Sequence, residues 1–324
     1  MQRFDVHAHF TLDSGPGADP ELMASLMRQE SFVGGGPPAA WSPESAIEFM
    51  DARDITMQLL SLPVPLPAEA LRLSNQQVAH IVAEHPRRFG ALASLPMAEP
   101  ERAVDEIRHA VAELGVDGFI LLSNYDGNYL GNELFEPVFA ELDRLHASVF
   151  VHPTSPAPFS ELGLGRPGPL IEYPMDTART IVDAVFAGLL LRHPNIKFVL
   201  AHAGGVLPAL FSRILHLGSQ DWVDNPHRLD RDDLEQQLAS LYLDTAIAGT
   251  PAGIEPALYM CGAEHLVFGT DYTPAGLDVI DQTISDLQNT LDAQQQRQLE
   301  TTFKKLFPAA AARADTPTNS PSRV

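Results

Sequence analysis

The chain has a single cysteine, Cys261, among its 324 residues. No intramolecular disulfide can form, and no cysteine-based zinc site either. It has little positive charge: 21 Lys and Arg against 42 Asp and Glu, a formal charge of −21. A nucleic-acid binder wants a basic stripe, so that class is set aside. Nowhere do about 18 apolar residues run together, so no membrane span is expected. The first residues, Met1 to Val6, have no apolar stretch followed by a small-residue cleavage site, so no secretory signal is expected. These absences point to a cytoplasmic protein. With 45% of residues hydrophobic, the chain has enough apolar surface for a large core and is not intrinsically disordered.

What is present is an alternation. Short β-like apolar runs cover residues 3–9, 57–63, 89–96, 116–123, 148–154, 197–204, 241–245 and 265–273. Most are rich in Val, Ile, Leu and Phe, as strands buried on both faces should be. Helical patterns lie between them. Residues 44–53 follow Ser42-Pro43, an N-cap and first-turn proline, and 101–114 run from Pro100 to Gly115. Residues 132–146, 176–192 and 278–289 also have helical periodicity. Strand and helix alternating eight times predict an α/β fold, a (β/α)8 TIM barrel, over residues 1–307. An open doubly wound sheet is the competing architecture. Polar residues clustered at strand ends in both halves of the chain favour the barrel.

Two stretches break the rhythm. Residues 10–41, with Gly34-Gly35-Gly36-Pro37-Pro38, read as a long loop inserted after the first strand. That loop is expected to act as a lid whose Phe10, Phe32 and Trp41 line a pocket for an aromatic substrate. The glycines lack the Lys-Ser/Thr that completes a phosphate loop. Residues 308–324, rich in Ala, Pro and Ser without periodicity, read as a disordered tail.

The strongest chemical signal is Asp5-Val6-His7-Ala8-His9 on the first run. Residues two apart on a strand share a face, so His7 and His9 point the same way. Further runs end in His152, His202 and Asp271. Barrel enzymes keep their active sites at C-terminal strand ends. Three histidines and an aspartate make a nitrogen and oxygen set suited to one divalent ion, with a position left for water or substrate.

Asp5-x-His7-x-His9, His152-Pro153, His202-Ala203-Gly204-Gly205 and Gly269-Thr270-Asp271 resemble the amidohydrolase superfamily. Within it they are similar to the branch of aminocarboxymuconate semialdehyde decarboxylase and related aromatic-acid decarboxylases. Glu172-Tyr173-Pro174-Met175-Asp176-Thr177 and His193-Pro194-Asn195 carry the same likeness. The resemblance implies that His7, His9, His152 and Asp271 hold one metal, Zn2+ first and Mn2+ second. It implies that His202 is catalytic beside the metal, and that Arg213 reaches a neighbouring subunit's site in a homodimer. The three lysines, Lys197, Lys304 and Lys305, all lie outside the fourth run, which excludes a metal pair bridged by a carboxylated lysine. The semialdehyde decarboxylase carries an arginine a few residues before the tryptophan that matches Trp41. Here Pro37-Pro38-Ala39-Ala40 stand there, which favours a small aromatic monocarboxylate of the salicylate type. The implied reaction is non-oxidative decarboxylation, with Asp271 as proton donor and His202 orienting it. Hydrolysis of an ester, lactone or amide by metal-activated water is the alternative. The remaining histidines and Cys261 read as structural.

Overall fold

The computed structural model describes residues 2–12, 18–32 and 41–316. Strands β1 (Arg3–His9), β2 (Ile55–Ser61), β3 (Phe89–Ser94) and β4 (Gly118–Leu122) are followed by a two-stranded hairpin, β5 (Asn124–Tyr125) and β6 (Asn128–Tyr129). Then come β7 (Ser148–His152), β8 (Lys197–Leu200) and β9 (Tyr242–Leu243). The seven long-range strands form one parallel sheet in the order β1-β2-β3-β4-β7-β8-β9. The eighth expected strand is not one. Residues 266–272 are irregular, yet they bridge both edges of the sheet. Val267 N–H donates to Leu243 O, while Val6 N–H donates to Phe268 O and Asp271 N–H to His7 O. The architecture is a TIM-like α/β fold with a curled parallel sheet.

The helices in chain order are α1 (Pro20–Gln29), α2 (Pro43–Asp51), α3 (Ala68–Glu84), α4 (Pro100–His109), α5 (Glu136–Arg144), α6 (Phe159–Leu162) and α7 (Glu172–Phe186). After them come α8 (Leu189–Arg192), α9 (Leu207–Leu217), α10 (Arg231–Ala239), α11 (Pro251–Cys261), α12 (Leu277–Thr290), α13 (Ala293–Leu306) and α14 (Pro308–Ala314). Ser42 caps α2 as expected, its hydroxyl accepting the Ser45 N–H. Helix α4 continues as a π-helical turn to Leu114 and ends on Gly115 in the left-handed region. The pattern expected as one helix over 176–192 is two, α7 and α8, broken at Gly188 with φ 74°.

Two expectations about irregular segments are corrected. The stretch after β1 is not a continuous loop: Asp19 caps α1, with Pro20 in its first turn. Its Gly-Pro run, residues 34–38, lies outside the described residues. The C-terminal stretch does not begin as a disordered tail, because Pro308–Ala314 is the helix α14 with Ala310 and Ala311 buried. Arg313 of this helix reaches the buried Asp117 with both guanidinium nitrogens, at 2.8 and 3.0 Å. Alanine has the highest helix propensity, and this ion pair supplies the anchor that apolar periodicity does not. Residues 317–324 lie outside the described residues.

The core has two layers. Outward side chains of the sheet pack under the helices. Inward ones, among them Phe4, Met57, Leu92, Ile120, Phe150 and Val199, fill the lower interior and meet Phe303, Leu306 and Phe307 beneath. The Phe4 and Phe303 rings stack at 4.4 Å. With the N-terminal end plugged by apolar groups, the polar side chains gather at the C-terminal ends of the strands.

Candidate metal centre and the cavity beside it

Strand β1 carries a bulge. From Asp5 to Ala8 it advances three residues while its partner β2 advances two, from Gln58 to Leu60. Asp5, fully buried, holds the irregular stretch from inside. It accepts the His7 and Thr270 N–H groups, the Gln58 amide and the Thr270 hydroxyl. Burial pushes its carboxyl up to about 6 despite those four donors.

His7, His9, His152 and Asp271 come together as the sequence predicts, with one donor atom from each lying within 4.8 Å of all the others. All four are buried. His9 Nε2 is 3.1 Å from Asp271 Oδ1 and its Nδ1 is 3.1 Å from the Ser61 hydroxyl. His152 Nδ1 bonds its neighbour's carbonyl, Pro153 O, at 2.8 Å. His7 Nε2 is buried 3.2 Å from Asp271 Oδ1, a close contact without aligned hydrogen-bond geometry. Three imidazoles converging on one buried carboxylate, with His7 Nε2 making no aligned hydrogen bond there, is the donor chemistry of a divalent-metal site. The four residues form a metal-binding arrangement.

Electrostatics fit that reading. Burial would lower His7, but the Asp271 and Asp244 carboxylates outweigh it and push His7 up to about 10. Burial holds His9 below the usual range, and holds His152 well below it with help from His9 and His7. Asp271 is held well below the carboxylate range: its burial is overcome by His7, His202 and His9. Without a metal, His7 keeps a proton that a cation would displace.

His202 also joins the cluster. Its Nε2 lies 3.4 Å from Asp271 Oδ2, and its ring is 5.0 Å from that of His7. It sits on a tight turn after β8 in which His202, Ala203 and Asp271 opposite all have positive φ, 56°, 53° and 60°. Non-glycine residues rarely adopt that conformation, and they concentrate at functional sites. Gly205 closes the turn at φ 62°, where a Cβ would meet the Pro174 backbone within 2.9 Å. Only glycine lets α7 and this turn approach so closely.

The spacing argument missed Asp244. It stands just beyond β9, fully buried, with Oδ2 2.6 Å from His7 Nδ1. Its other oxygen accepts Ala246 N–H at 3.1 Å and Ala203 N–H at 3.4 Å, so it orients His7 and ties it to the His202 turn. Gly269 makes room: a Cβ there would lie 3.0 Å from both Asp244 Oδ2 and the His7 Cβ. The only available signal was a carboxylate closing the seventh run.

Beside the cluster is a cavity of about 580 Å3. Its wall includes Thr154 and Ser155, just past His152, with residues 62–68, 94–99 and 120–126. Gln29 and Glu30, at the end of α1, contribute to it. Two expected substrate contacts, Phe32 and Trp41, are not among the described residues lining this cavity. Trp41 is 7% exposed in the layer under the helices, packed on Phe10 and Phe89. An aromatic that follows a long irregular segment was read as a pocket residue, but its ring finds the outer core. Phe32 is 36% exposed. Arg213 is exposed on α9, without an ion pair among the described residues.

The chain belongs to the amidohydrolase family, whose model matches residues 4–308. It is 32% identical to decarboxylase yanB of Aspergillus niger, over 88% of this chain and 80% of the relative. It is 31% identical to the 6-methylsalicylic acid decarboxylase of Aspergillus aculeatus, over 86% of each chain. Its fold matches the solved dihydroxybenzoic acid decarboxylase of Polaromonas, which holds manganese and 2-nitroresorcinol, with a TM-score of 0.80 at 22% identity. That match covers 95% of this chain and 97% of the other. Among the described residues, no helix is long and apolar enough to cross a membrane.

Proposed function

We propose that the protein is a metal-dependent non-oxidative decarboxylase of a small aromatic, salicylate-type carboxylic acid. The observation that carries this is His202 set against Asp271 in a buried three-histidine, one-aspartate cluster, with a cavity of about 580 Å3 whose wall includes Thr154, two positions past His152. The decarboxylase relatives support it. Direct loss of CO2 would leave an aryl carbanion. Protonating the ring carbon first makes the ring an electron sink, and C–C cleavage then restores aromaticity. His7, His9, His152 and Asp271 would hold a divalent ion, Zn2+ or Mn2+, which would supply positive charge to offset the substrate anion. The remaining work belongs to side chains. The surrounding imidazoles favour ionised Asp271, so it must take up a proton before delivering it to the ring carbon. His202 is the neighbour placed to pass that proton and to steady the resulting charge.

We also propose a homodimer in which Arg213 reaches the partner's site and steadies the substrate anion, since no cation is among the described residues lining the cavity within one chain. The test is turnover of a hydroxybenzoate panel, followed by CO2 release, in metal-loaded wild type and His202→Ala. The variant is expected to keep its metal and lose on the order of 10²-fold or more in kcat. A metal-loaded wild type that releases no CO2 from any hydroxybenzoate, or a fully active His202→Ala, overturns the reading.

A further inference from the structure

Part of the donor capacity of the cavity wall is already spent. Ser94 spends its hydroxyl proton on Leu62 O, and Asn124 spends its amide on Ser155 O and Asp176. Glu99 and Asp126 are exposed carboxylates at its margin, while Glu30 is half-buried within the wall. No lysine, arginine or histidine is among the described lining residues. Glu30 is held from several sides. The Ser155 hydroxyl donates to its Oε2, and Tyr173 lies beside the same carboxylate. Gly168 N–H donates to the Glu30 carbonyl at 3.2 Å. A Cβ at Gly168 would collide with Glu30, Ser155 and Tyr173 together, so the glycine is what lets the three meet. Tyr173 also faces the metal cluster, its ring 6.3 Å from that of His152.

A carboxylate offers about four acceptor positions. The Ser155 hydroxyl leaves it with capacity to spare, and Ser155 has no second proton to offer an anion. We propose that Glu30 is a specificity-determining residue: fixed by Ser155 at the cavity wall beside Tyr173, it accepts a hydroxyl from the substrate ring and rejects a ring carrying a second carboxylate. The ligand class rests on the decarboxylase reading above; the sign of the discrimination comes from the Glu30 carboxylate. Rejection by an uncompensated like charge is a common route to specificity.

The experiment compares binding by calorimetry to Mn2+-loaded protein. The ligands are salicylate, dihydroxybenzoates, and the hydroxy-dicarboxylates in which carboxylate replaces the second hydroxyl. Measurements are made at pH 8 because burial raises the Glu30 carboxyl. Glu30→Gln keeps the size and removes the charge, and should shift the affinity ratio toward the dicarboxylates by about tenfold or more. Salicylate, which lacks the second group, should respond little. Ser155→Ala loosens the same contact but keeps the charge, and should retain the wild-type preference. If Glu30→Gln leaves the ratio unchanged, or Ser155→Ala shifts it equally, the inference is overturned while a wild type that decarboxylates leaves the reaction assignment standing. Wild type that binds no aromatic acid overturns both.

Discussion

Replacing Asp244 by asparagine should weaken the metal, and weaken it more as pH rises. Asp244 acts on His7 in two opposed ways through one 2.6 Å contact. It makes the imidazole a more basic ligand, and partners of this kind are typically worth about 10–100-fold in metal affinity. It also helps hold a proton on His7 up to about pH 10 in the metal-free protein. A cation must displace that proton, so apparent affinity should rise about tenfold per pH unit below that value. Asparagine removes both effects. Near pH 9.5 most of the proton penalty is gone and the variant should bind about 10–100-fold less tightly than wild type. Near pH 6.5 wild type still carries the penalty in full and the variant carries less, so the gap should narrow. The assay is competition against a chromophoric chelator at both pH values, with circular dichroism confirming the fold. Equal affinities at high pH, or a deficit that does not change with pH, would refute the claim that Asp244 works through His7.

Stability of the metal-free protein follows the same histidine. His7 titrates at about 10 when folded against an ordinary 6.5, so its contribution is complete below pH 6.5 and fades as pH rises toward 10. Chelated wild type should lose melting temperature across that window, and chelated His7→Gln should show a flatter profile. At the opposite end of the sheet, Arg313→Ala strands the Asp117 carboxylate, 1% exposed, with only the Ala91 N–H as partner. Because Arg313 is itself partly exposed, the cost should be at the low end for a broken buried pair, about 3 kcal/mol in urea unfolding. A loss under 0.5 kcal/mol would show that α14 is not held by this pair. Gly205→Ala should disturb the His202 turn through the Pro174 backbone, lowering kcat in protein that retains its metal; unchanged kcat would count against the need for that close approach.

The site was legible where chemistry and strand position coincide. His7 and His9 form an unusual pair on one short run, and His152, His202 and Asp271 each close another. Asp244 closes a run too, but one aspartate without a companion looks like any polar strand end. Its role depends on an approach permitted by Gly269, which no local pattern encodes. The bulge in β1 was equally silent, because it is defined by register against β2. Helices α2 and α4 announced themselves by cap and proline. Helix α14 did not, since its anchor is a pair between Asp117 and Arg313, 196 residues apart. Trp41 shows the opposite failure: hydrophobicity says that a tryptophan will be buried, not on which side of a sheet.

The metal cluster joins the two ends of the chain's folded core. His9 and Asp271 are 262 positions apart yet touch, and Asp271 N–H bonds the carbonyl of His7 across the same seam. At about 5–20 residues per second of synthesis, roughly 13–50 s separate the emergence of the first ligands from that of the last. Throughout that interval the His-x-His pair is exposed as an incomplete chelate, able to hold a cation only weakly. Full-strength loading must wait until the last crossover has been made and residues 266–272 have settled between β9 and β1. The ion therefore reports that synthesis has passed Asp271, and a protein truncated anywhere before Asp271 should emerge without one.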